Sequence, residues 1–291
     1  MELRHLEYFV AVAEEANFTR AAKRVHISQP GISAQIRQLE SELGAELFDR
    51  SSRVATLTTA GEAALPHARA TLAAAAAVRD AVDDVNQLVR GRLAVGMVTA
   101  CTVTPLFDAL AACRGAHPGI VFDLVEDNSD RLVDRVRAGT LDLALVGVAE
   151  RPPAELSSLT VVSERLVAAV PSGHPLTASP AVPLSELCNQ PLICLPAGTG
   201  VRTVLDRNCA AQAVTASVAM QASAPDAVAD LARRGLGVAV LSESMAASYP
   251  DLASIPIADA ALEAVLALVW KPAPSPALRE FLDHARRAFM P

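Results

Sequence analysis

The segment from residue 18 to residue 40 predicts two helices separated by a short break, and no other stretch constrains the fold as tightly. Thr19 is expected to cap the first helix. Ser28 is a good N-cap for the second, and Pro30 falls in the first turn, where its missing N–H breaks no intrahelical bond. Apolar residues then recur at helical spacing and predict a buried face: Ile32, Ile36, Leu39 and Leu43. The pattern indicates a helix-turn-helix.

The opposite face of the second helix carries polar groups four residues apart. Gln29, Ser33 and Arg37 offer an amide, a hydroxyl and a guanidinium, which suit base edges in a major groove. Between residues 18 and 38 there are four basic residues and no acidic one: Arg20, Lys23, Arg24 and Arg37. This excess fits contacts to phosphate. A three-helix core with solvated basic residues stays open as the alternative.

The composition limits where a nucleic acid can bind. The chain has 291 residues, enough for roughly two domains, and its apolar fraction of 52% can fill their cores. The net charge is −7, from 25 basic and 32 acidic residues. Any nucleic-acid contact must therefore come from a local basic patch.

The sequence shows no signal peptide, membrane span or metal motif. Glu2 and Arg4 follow Met1 in an amphipathic pattern, and the longest apolar runs, 72–78 and 264–270, are too short to cross a bilayer. The five cysteines are widely spread: Cys101, Cys113, Cys188, Cys194 and Cys209. Their odd number and the lack of CxxC spacing predict free thiols in the cytoplasm and no metal or cofactor.

Residues 47–58 predict a two-stranded wing that completes a DNA-binding domain over residues 1–58. Arg50 and Arg53 flank its turn. Arginines on such a ribbon suit phosphates or the adjacent minor groove. An ordinary exposed hairpin fits the same pattern.

Residues 59–90 predict one long helix. Thr59 and Glu62 have capping-box spacing, and Pro66 inside the helix is expected to bend it. The apolar positions exceed what a solvated helix needs, which favours a linker that pairs two chains. Packing of the helix against its own chain stays open.

From residue 91 the pattern changes to alternating strands and helices, which is typical of parallel sheets with helices on both faces. We expect one two-lobed α/β domain over residues 91–291. Its first subdomain comprises 91–163 and 267–291, and its second comprises 164–266. The predicted fold class is thus α plus α/β.

Motifs in the first 65 residues resemble the amino-terminal domain of the LysR-type transcriptional regulators. They are Phe18-Thr19-Arg20-Ala21-Ala22, Ser28-Gln29-Pro30, Ile36-Arg37-Gln38-Leu39-Glu40, Leu47-Phe48-Asp49-Arg50 and Leu57-Thr58-Thr59-Ala60-Gly61. The rest resembles the family's effector domain more loosely, through Gly139-Thr140-Leu141-Asp142-Leu143-Ala144, Ser172-Gly173-His174-Pro175-Leu176 and Arg234-Gly235-Leu236-Gly237-Val238.

The resemblance implies a winged helix-turn-helix, a dimerising linker helix and an effector domain like that of periplasmic binding proteins. Members commonly form homodimers or homotetramers on partly palindromic double-stranded DNA and respond to a small-molecule effector. RNA polymerase is a further candidate partner, and no membrane is implied. We therefore expect a cytoplasmic transcription regulator that is not an enzyme.

The resemblance also assigns DNA contacts to particular positions of this chain. They are Thr19, Arg20, Gln29, Pro30, Ser33, Arg37 and Arg53, and Ser28 and Arg50 complete the candidate set. Gly31 and Ala34 stand where many members carry larger or polar groups. Base readout is therefore expected to be narrower here and to depend more on DNA shape.

Ligands of open α/β sheets bind beyond the carboxyl ends of the strands. The candidate effector residues at these ends are Thr99, Ala100, Cys101, Thr102, Asn128, Ser129, Gly147, Gly198, Thr199 and Ser223. Hydroxyls and helix N-termini there suit carboxylates and other small anions, although such residues are also ordinary turn formers. Arg202 is a candidate cation, with a surface salt bridge as its alternative.

Two other functions are weighed against a regulator. An α/β enzyme lacks support, because no GxSxG, P-loop, GxGxxG or HExxH motif is present. A solute-binding protein is disfavoured by the basic helix-turn-helix. Peroxide-sensing members of the resembled family carry a reactive cysteine at the position of Gly200 and a partner near Cys209. Only Cys209 is present here, so no intrachain redox switch is expected.

Overall fold

The computed structural model describes residues 1–49, 54–85, 90–99 and 103–289. The chain forms two compact units. The first comprises residues 1–88, and the second comprises nearly all of residues 89–291. Each unit has hydrophobic cores of its own: one in the first unit and three in the second.

The first unit is a helix-turn-helix with a short ribbon and a long final helix. Its elements are α1 (Leu3–Glu15), α2 (Phe18–Arg24), α3 (Gln29–Leu43), β1 (Phe48–Asp49), β2 (Thr56–Leu57) and α4 (Thr59–Val85). The Ser28 Oγ accepts from the Gly31 N–H at 3.2 Å, which confirms the predicted cap of α3. Gly44 ends α3 with a φ of 69°, the left-handed conformation that glycine adopts readily after a helix.

Two other caps lie one or two residues before their predicted positions. The Asn17 Oδ1, and not Thr19, caps α2, because it accepts from the N–H groups of Thr19 and Arg20 at 2.9 and 3.0 Å. The Thr58 Oγ1, and not Thr59, caps α4 by accepting from the Gly61 N–H at 3.1 Å. Neighbouring Thr and Asn residues have similar capping preferences, so only the backbone conformation decides between them.

The core of the first unit joins α3 to the ribbon. Phe48 of β1 is fully buried and packs edge-on against Phe9 and Phe18, with ring centroids 5.5 and 5.6 Å apart. The buried Glu40 Oε1 accepts from the N–H groups of Leu47 and Phe48 at 2.9 and 3.3 Å. This carboxylate therefore fixes the start of the ribbon to α3.

The ribbon is a short antiparallel pair in which Phe48 lies opposite Leu57. The predicted turn, with Arg50 and Arg53, lies outside the described residues. The predicted linker helix is present as α4, with Pro66 inside it. Residues 86–89 of the predicted linker also lie outside the described residues.

The second unit alternates strands and helices along the chain. Its elements are β3 (Gly91–Val98), α5 (Thr104–Ala116), β4 (Ile120–Asp127), α6 (Ser129–Arg137), β5 (Leu143–Ala149), β6 (Ser157–Glu164), β7 (Leu166–Pro171), a 3-10 helix (Pro175–Ala178), α7 (Leu184–Cys188), β8 (Leu192–Cys194), α8 (Gly200–Ala211), β9 (Val218–Gln221), α9 (Pro225–Arg233), β10 (Val238–Ser242), α10 (Glu243–Ala247), β11 (Leu252–Pro256), β12 (Ala264–Trp270) and α11 (Pro276–Phe289).

These strands form one five-stranded sheet in each of two lobes. The order is β4-β3-β5-β12-β6 in the first lobe and β11-β7-β10-β8-β9 in the second. The expectation of parallel sheets is only partly right, because β12 is antiparallel to β5 and β6, and β7 is antiparallel to β10 and β11. The chain crosses between the lobes twice, after β6 and before β12, and each crossing brings in a strand of opposite direction.

Two strands at sheet edges had no counterpart in the sequence pattern. They are β6 and β11, whose residues alternate between buried or half-buried and exposed positions. Neither has the continuous apolar run that marks a central strand. The whole of β12, from Ala264, lies in the first lobe, ahead of the boundary expected between residues 266 and 267.

The four described cysteines are buried free thiols. Burial raises the pKa of Cys113 and Cys194 to about 11 and that of Cys209 to about 12. The Cys188 Sγ lies 3.5 Å from the Cys209 Sγ, so the thiol neighbour of Cys209 lies on α7 and not at position 200. Burial raises the pKa of Cys188 as well.

Among the described residues, no helix is both long and apolar enough to cross a bilayer. The same residues contain no group of His, Cys, Asp and Glu side chains with the geometry of a metal site.

Replacing Glu40 by alanine is expected to destabilise the first unit by about 2–3 kcal/mol, because two buried N–H groups lose their acceptor. Helical circular dichroism during denaturation should show an earlier transition. The fluorescence of Trp270, the only tryptophan, reports on the second unit and should keep its midpoint. Glu46→Ala, at an exposed position nearby, is the matched control. Equal midpoints for the two variants would contradict this role of Glu40.

The native protein is expected to protect its described cysteines from thiol reagents. At pH 8 a thiol of pKa 11 is ionised in only about one molecule in a thousand, and burial blocks access as well. Peptide mapping after iodoacetamide treatment should find Cys113, Cys188, Cys194 and Cys209 unmodified, with labelling rising as the pH is raised. Guanidinium-unfolded protein gives the full-labelling control, and fast native labelling of any of the four would refute the expectation.

Candidate nucleic-acid interface and ligand cavity

The polar face predicted for the second helix of the pair is present on α3. Gln29, Pro30 and Arg37 are exposed and Ser33 is half-buried, while Ile36 on the other side is fully buried. The helical repeat therefore separates one face for the core from one for a partner.

Two features make the exposed face of α3 suitable for contacts to base edges. The Gln29 Nε2 donates to the Ser33 Oγ at 3.0 Å, which links the amide and the hydroxyl in one arrangement. Arg37 forms no ion pair with any residue that the structure describes. An exposed guanidinium can form the bidentate contact to guanine that is common in major-groove recognition.

The basic residues of α2 are arranged differently. The Arg20 Nε lies 3.3 Å from the Glu15 Oε2, and the Arg20 Nη2 donates to the Glu15 carbonyl. Arg24 pairs with Glu14 at 2.8 Å and with Glu15 at 3.5 Å. Thr19 and Ser28 are exposed near the starts of α2 and α3. Four of these six residues, the two arginines and the two glutamates, thus belong to ion pairs within the chain.

A cavity of about 520 Å³ opens between the two lobes of the second unit. It brings together six of the predicted effector residues, which follow strands or precede helices as expected: Thr99, Asn128, Ser129, Gly147, Thr199 and Ser223. Gly198 and Arg202 are not part of its lining. Ala100, Cys101 and Thr102 lie outside the described residues.

Close backbone packing brings the start of α8 to the end of β5. A Cβ on Gly200 would lie 2.6 Å from the Gly147 Cα, so only glycine fits there. The Ser129 Oγ accepts from the Gly147 N–H at 3.0 Å and holds α6 to the same point. Thr199 precedes α8, and no side chain caps its first turn or places an acid there.

Arg202 belongs to a different environment. Its Nε donates to the Asp206 Oδ1 at 2.9 Å, one turn along α8. Its Nη1 is buried with no hydrogen-bond partner among the described residues. The guanidinium thus serves the salt bridge that was weighed as its alternative role.

The cavity wall holds two carboxylates that the sequence analysis missed. The Asp127 Oδ1 accepts from the Asn128 N–H at 2.9 Å and lies 3.7 Å from the Arg131 Nη1. Glu164 accepts from the Ser244 N–H at 2.8 Å and from the Ser244 Oγ at 2.7 Å. No Lys, Arg or His occurs among the described lining residues.

The wall contributed by β6, β12 and residues 242–249, a segment that includes α10, was also missed. It includes Val162, Leu266, Ser242, Met245, Ser248 and Tyr249. The Tyr249 hydroxyl donates to the Asp226 Oδ1 at 2.6 Å, and burial raises the pKa of that hydroxyl. The cluster of serines at positions 242, 244 and 248 was the one available signal, since α10 is too short for a periodic pattern.

Two family profiles match the chain. The bacterial regulatory helix-turn-helix protein, lysR family, matches residues 3–62, and the LysR substrate binding domain matches residues 86–290. An uncharacterized HTH-type transcriptional regulator of Escherichia coli, YnfL, is 32% identical over 99% of both chains. The HTH-type transcriptional regulator ShiR of Corynebacterium glutamicum is 32% identical over 93% of this chain and 92% of its own.

Solved structures agree over the full length. A full-length OxyR variant from Pseudomonas aeruginosa has a TM-score of 0.74 and 26% identity, covering 98% of this chain and 95% of its own. Full-length CbnR complexed with its target DNA has a TM-score of 0.60 and 26% identity, covering 99% and 100%. These matches confirm the expected fold class and a role in transcription in place of catalysis. The chain belongs to the LysR family of DNA-binding transcriptional regulators, with an amino-terminal helix-turn-helix and a two-lobed effector-binding domain.

Proposed function

We propose that this regulator reads its operator with the exposed face of α3 and is controlled by a small molecule in the cavity between the lobes. The observation that carries the proposal is the split of α3 into a buried apolar face and an outward face with Arg37, whose guanidinium forms no ion pair with the described residues. Pro30, Ser28, Thr19 and Arg20 approach the phosphates beside it. Arg50 and Arg53 add wing contacts in the minor groove or to its phosphates.

We assign the three proposed roles to the three segments that the sequence predicts. Residues 1–58 bind DNA, residues 59–90 pair two chains through α4, and residues 91–291 bind the effector. The CbnR structure is of that protein complexed with its target DNA. We propose that this chain likewise binds duplex DNA with partly palindromic half-sites as a homodimer or homotetramer in the cytoplasm, and contacts RNA polymerase there.

The effector acts by favouring one placement of the two lobes over another. Such control needs a ligand whose affinity differs between the two placements. Residues of both lobes line the cavity, for example Asn128 from the first and Thr199 from the second. A molecule that contacts both is therefore sensitive to their spacing.

We infer that the effector carries a single anionic group. Uncapped N–H groups at the start of α8, beside Thr199 and Gly200, attract one negative charge. Asp127 and Glu164 already accept hydrogen bonds within the chain, and the described lining offers no basic side chain. A second carboxylate would thus meet negative charge without a counter-ion, which is costly in a partly buried site.

Arg37→Ala and Gln29→Ala are each expected to weaken operator binding by at least about tenfold, since a good side-chain contact to a base contributes roughly 1–3 kcal/mol of discrimination. Fluorescence anisotropy with an operator selected from genomic fragments measures the loss. Binding to unrelated duplex should change less. Arg4→Ala and Gln38→Ala, at exposed positions of α1 and α3, are the matched controls. If both α3 variants bind the operator like wild type, this face does not read DNA.

Monocarboxylates are expected to raise the melting temperature of the second unit, followed by Trp270 fluorescence, more than dicarboxylates of the same length. The series from acetate to hexanoate and its dicarboxylate counterparts provide the probes. Ser223→Ala and Thr199→Val test the contribution of the cavity lining, because neither substitution disturbs the backbone as Thr199→Pro would. Ser172→Ala, outside the lining, is the control. Stabilisation by dicarboxylates alone, or by neither series, would refute the single-anion proposal.

A further inference from the structure

The start of α2 is occupied from within the chain. In the proposed complex with DNA, Thr19 and Arg20 face the phosphate backbone at this point, and the inference below rests on that proposal. Yet the N–H groups of both residues already donate to the Asn17 Oδ1, at 2.9 and 3.0 Å. The Arg20 guanidinium meanwhile contacts the side chain and the carbonyl of Glu15. The groups that would bind phosphate therefore have acceptors before DNA arrives.

Glu15 is the charged part of this arrangement. Its two carboxylate oxygens serve two arginines, with Oε2 3.3 Å from the Arg20 Nε and Oε1 3.5 Å from the Arg24 Nη1. Arg20 is 64% exposed and Glu15 is 29% exposed, so the pair is open to solvent and to a partner. A carboxylate this close cancels much of the positive charge that a phosphate would meet.

The neighbouring Glu14 has a separate, structural task. It lies 2.8 Å from the Arg24 Nη2 and 3.0 Å from the Arg69 Nη2, and so connects α1, α2 and α4. Arg24 consequently keeps its stronger partner when Glu15 is lost. Glu15 can therefore be neutralised while the helices stay connected.

We propose that Glu15 limits the affinity of this regulator for DNA by competing with a backbone phosphate for Arg20. Exposed ion pairs contribute little to stability, so a phosphate can displace the carboxylate during binding. Breaking the ion pair between Glu15 and Arg20 offsets part of the free energy gained from the contact between Arg20 and the phosphate. The competition involves no base edge, and it therefore lowers the affinity for all duplex sequences alike.

The test compares full-length wild type and Glu15→Gln on a labelled 30-base-pair duplex of mixed sequence, by anisotropy between about 0.05 and 0.2 M salt. Glu15→Gln should bind about two- to fivefold more tightly at the lowest salt. The gain should shrink as salt is raised, since screening weakens both the ion pair and the phosphate contact. Glu7→Gln removes the same charge from an exposed position of α1 and measures the general effect of charge.

A double-mutant cycle separates competition for Arg20 from other effects of the substitution. In an Arg20→Ala background, Glu15→Gln should no longer change the affinity. Unchanged or weaker binding by Glu15→Gln overturns the proposal, as does a gain that persists without Arg20 or is matched by Glu7→Gln. Circular dichroism melting confirms that the variants fold. If wild type itself shows no salt-dependent duplex binding, the proposed function fails, whereas normal wild-type binding with no gain refutes only the role of Glu15.

Discussion

The helical repeat of α3 decides what this chain can present to DNA. Ile32, Ile36 and Leu39 must be buried together to close the core of the first unit, and a helix returns to the same side every three to four residues. Burial of that side leaves Gln29 and Arg37 outward with no freedom to rotate away. The same core holds Phe48, so the ribbon's first strand is placed relative to α3 by apolar packing and by the Glu40 carboxylate.

A second constraint of the same kind shapes the cavity. Gly147 and Gly200 approach so closely that no side chain fits between β5 and α8. The uncapped first turn of α8 is thereby held at the carboxyl end of the first lobe's sheet. The two wall carboxylates, Asp127 and Glu164, are meanwhile engaged by Asn128 and Ser244 in holding their own loops. Structure and charge in the cavity are thus set by the backbone and by short-range hydrogen bonds.

The sequence predicted those parts of the fold that follow from local periodicity. The helix-turn-helix, the Ser28 cap and the alternation of strands and helices from residue 91 follow strong apolar patterns, and the structure confirms them. Sheet direction, the edge strand β6 and the wall near Ser244 depend on where the chain crosses between lobes, which no local pattern encodes. The pairing of Arg20 with Glu15 was invisible for another reason: it depends on side-chain reach across the turn between α1 and α2.

The ion pairs of the first unit bear on how an effector in the second unit could control DNA binding. An effector changes an equilibrium only by its difference in affinity for two states, typically 1–3 kcal/mol in allosteric proteins. A coupling free energy of that size has little effect on a complex in which every basic residue contributes its full contact energy to DNA binding. Glu14 and Glu15 reduce the net charge of the surface near Arg20 and Arg24, whereas Arg37 forms no ion pair with the described residues. Under the proposed function, specific contacts then provide a larger share of the binding energy, and a small effector shifts the balance between bound states.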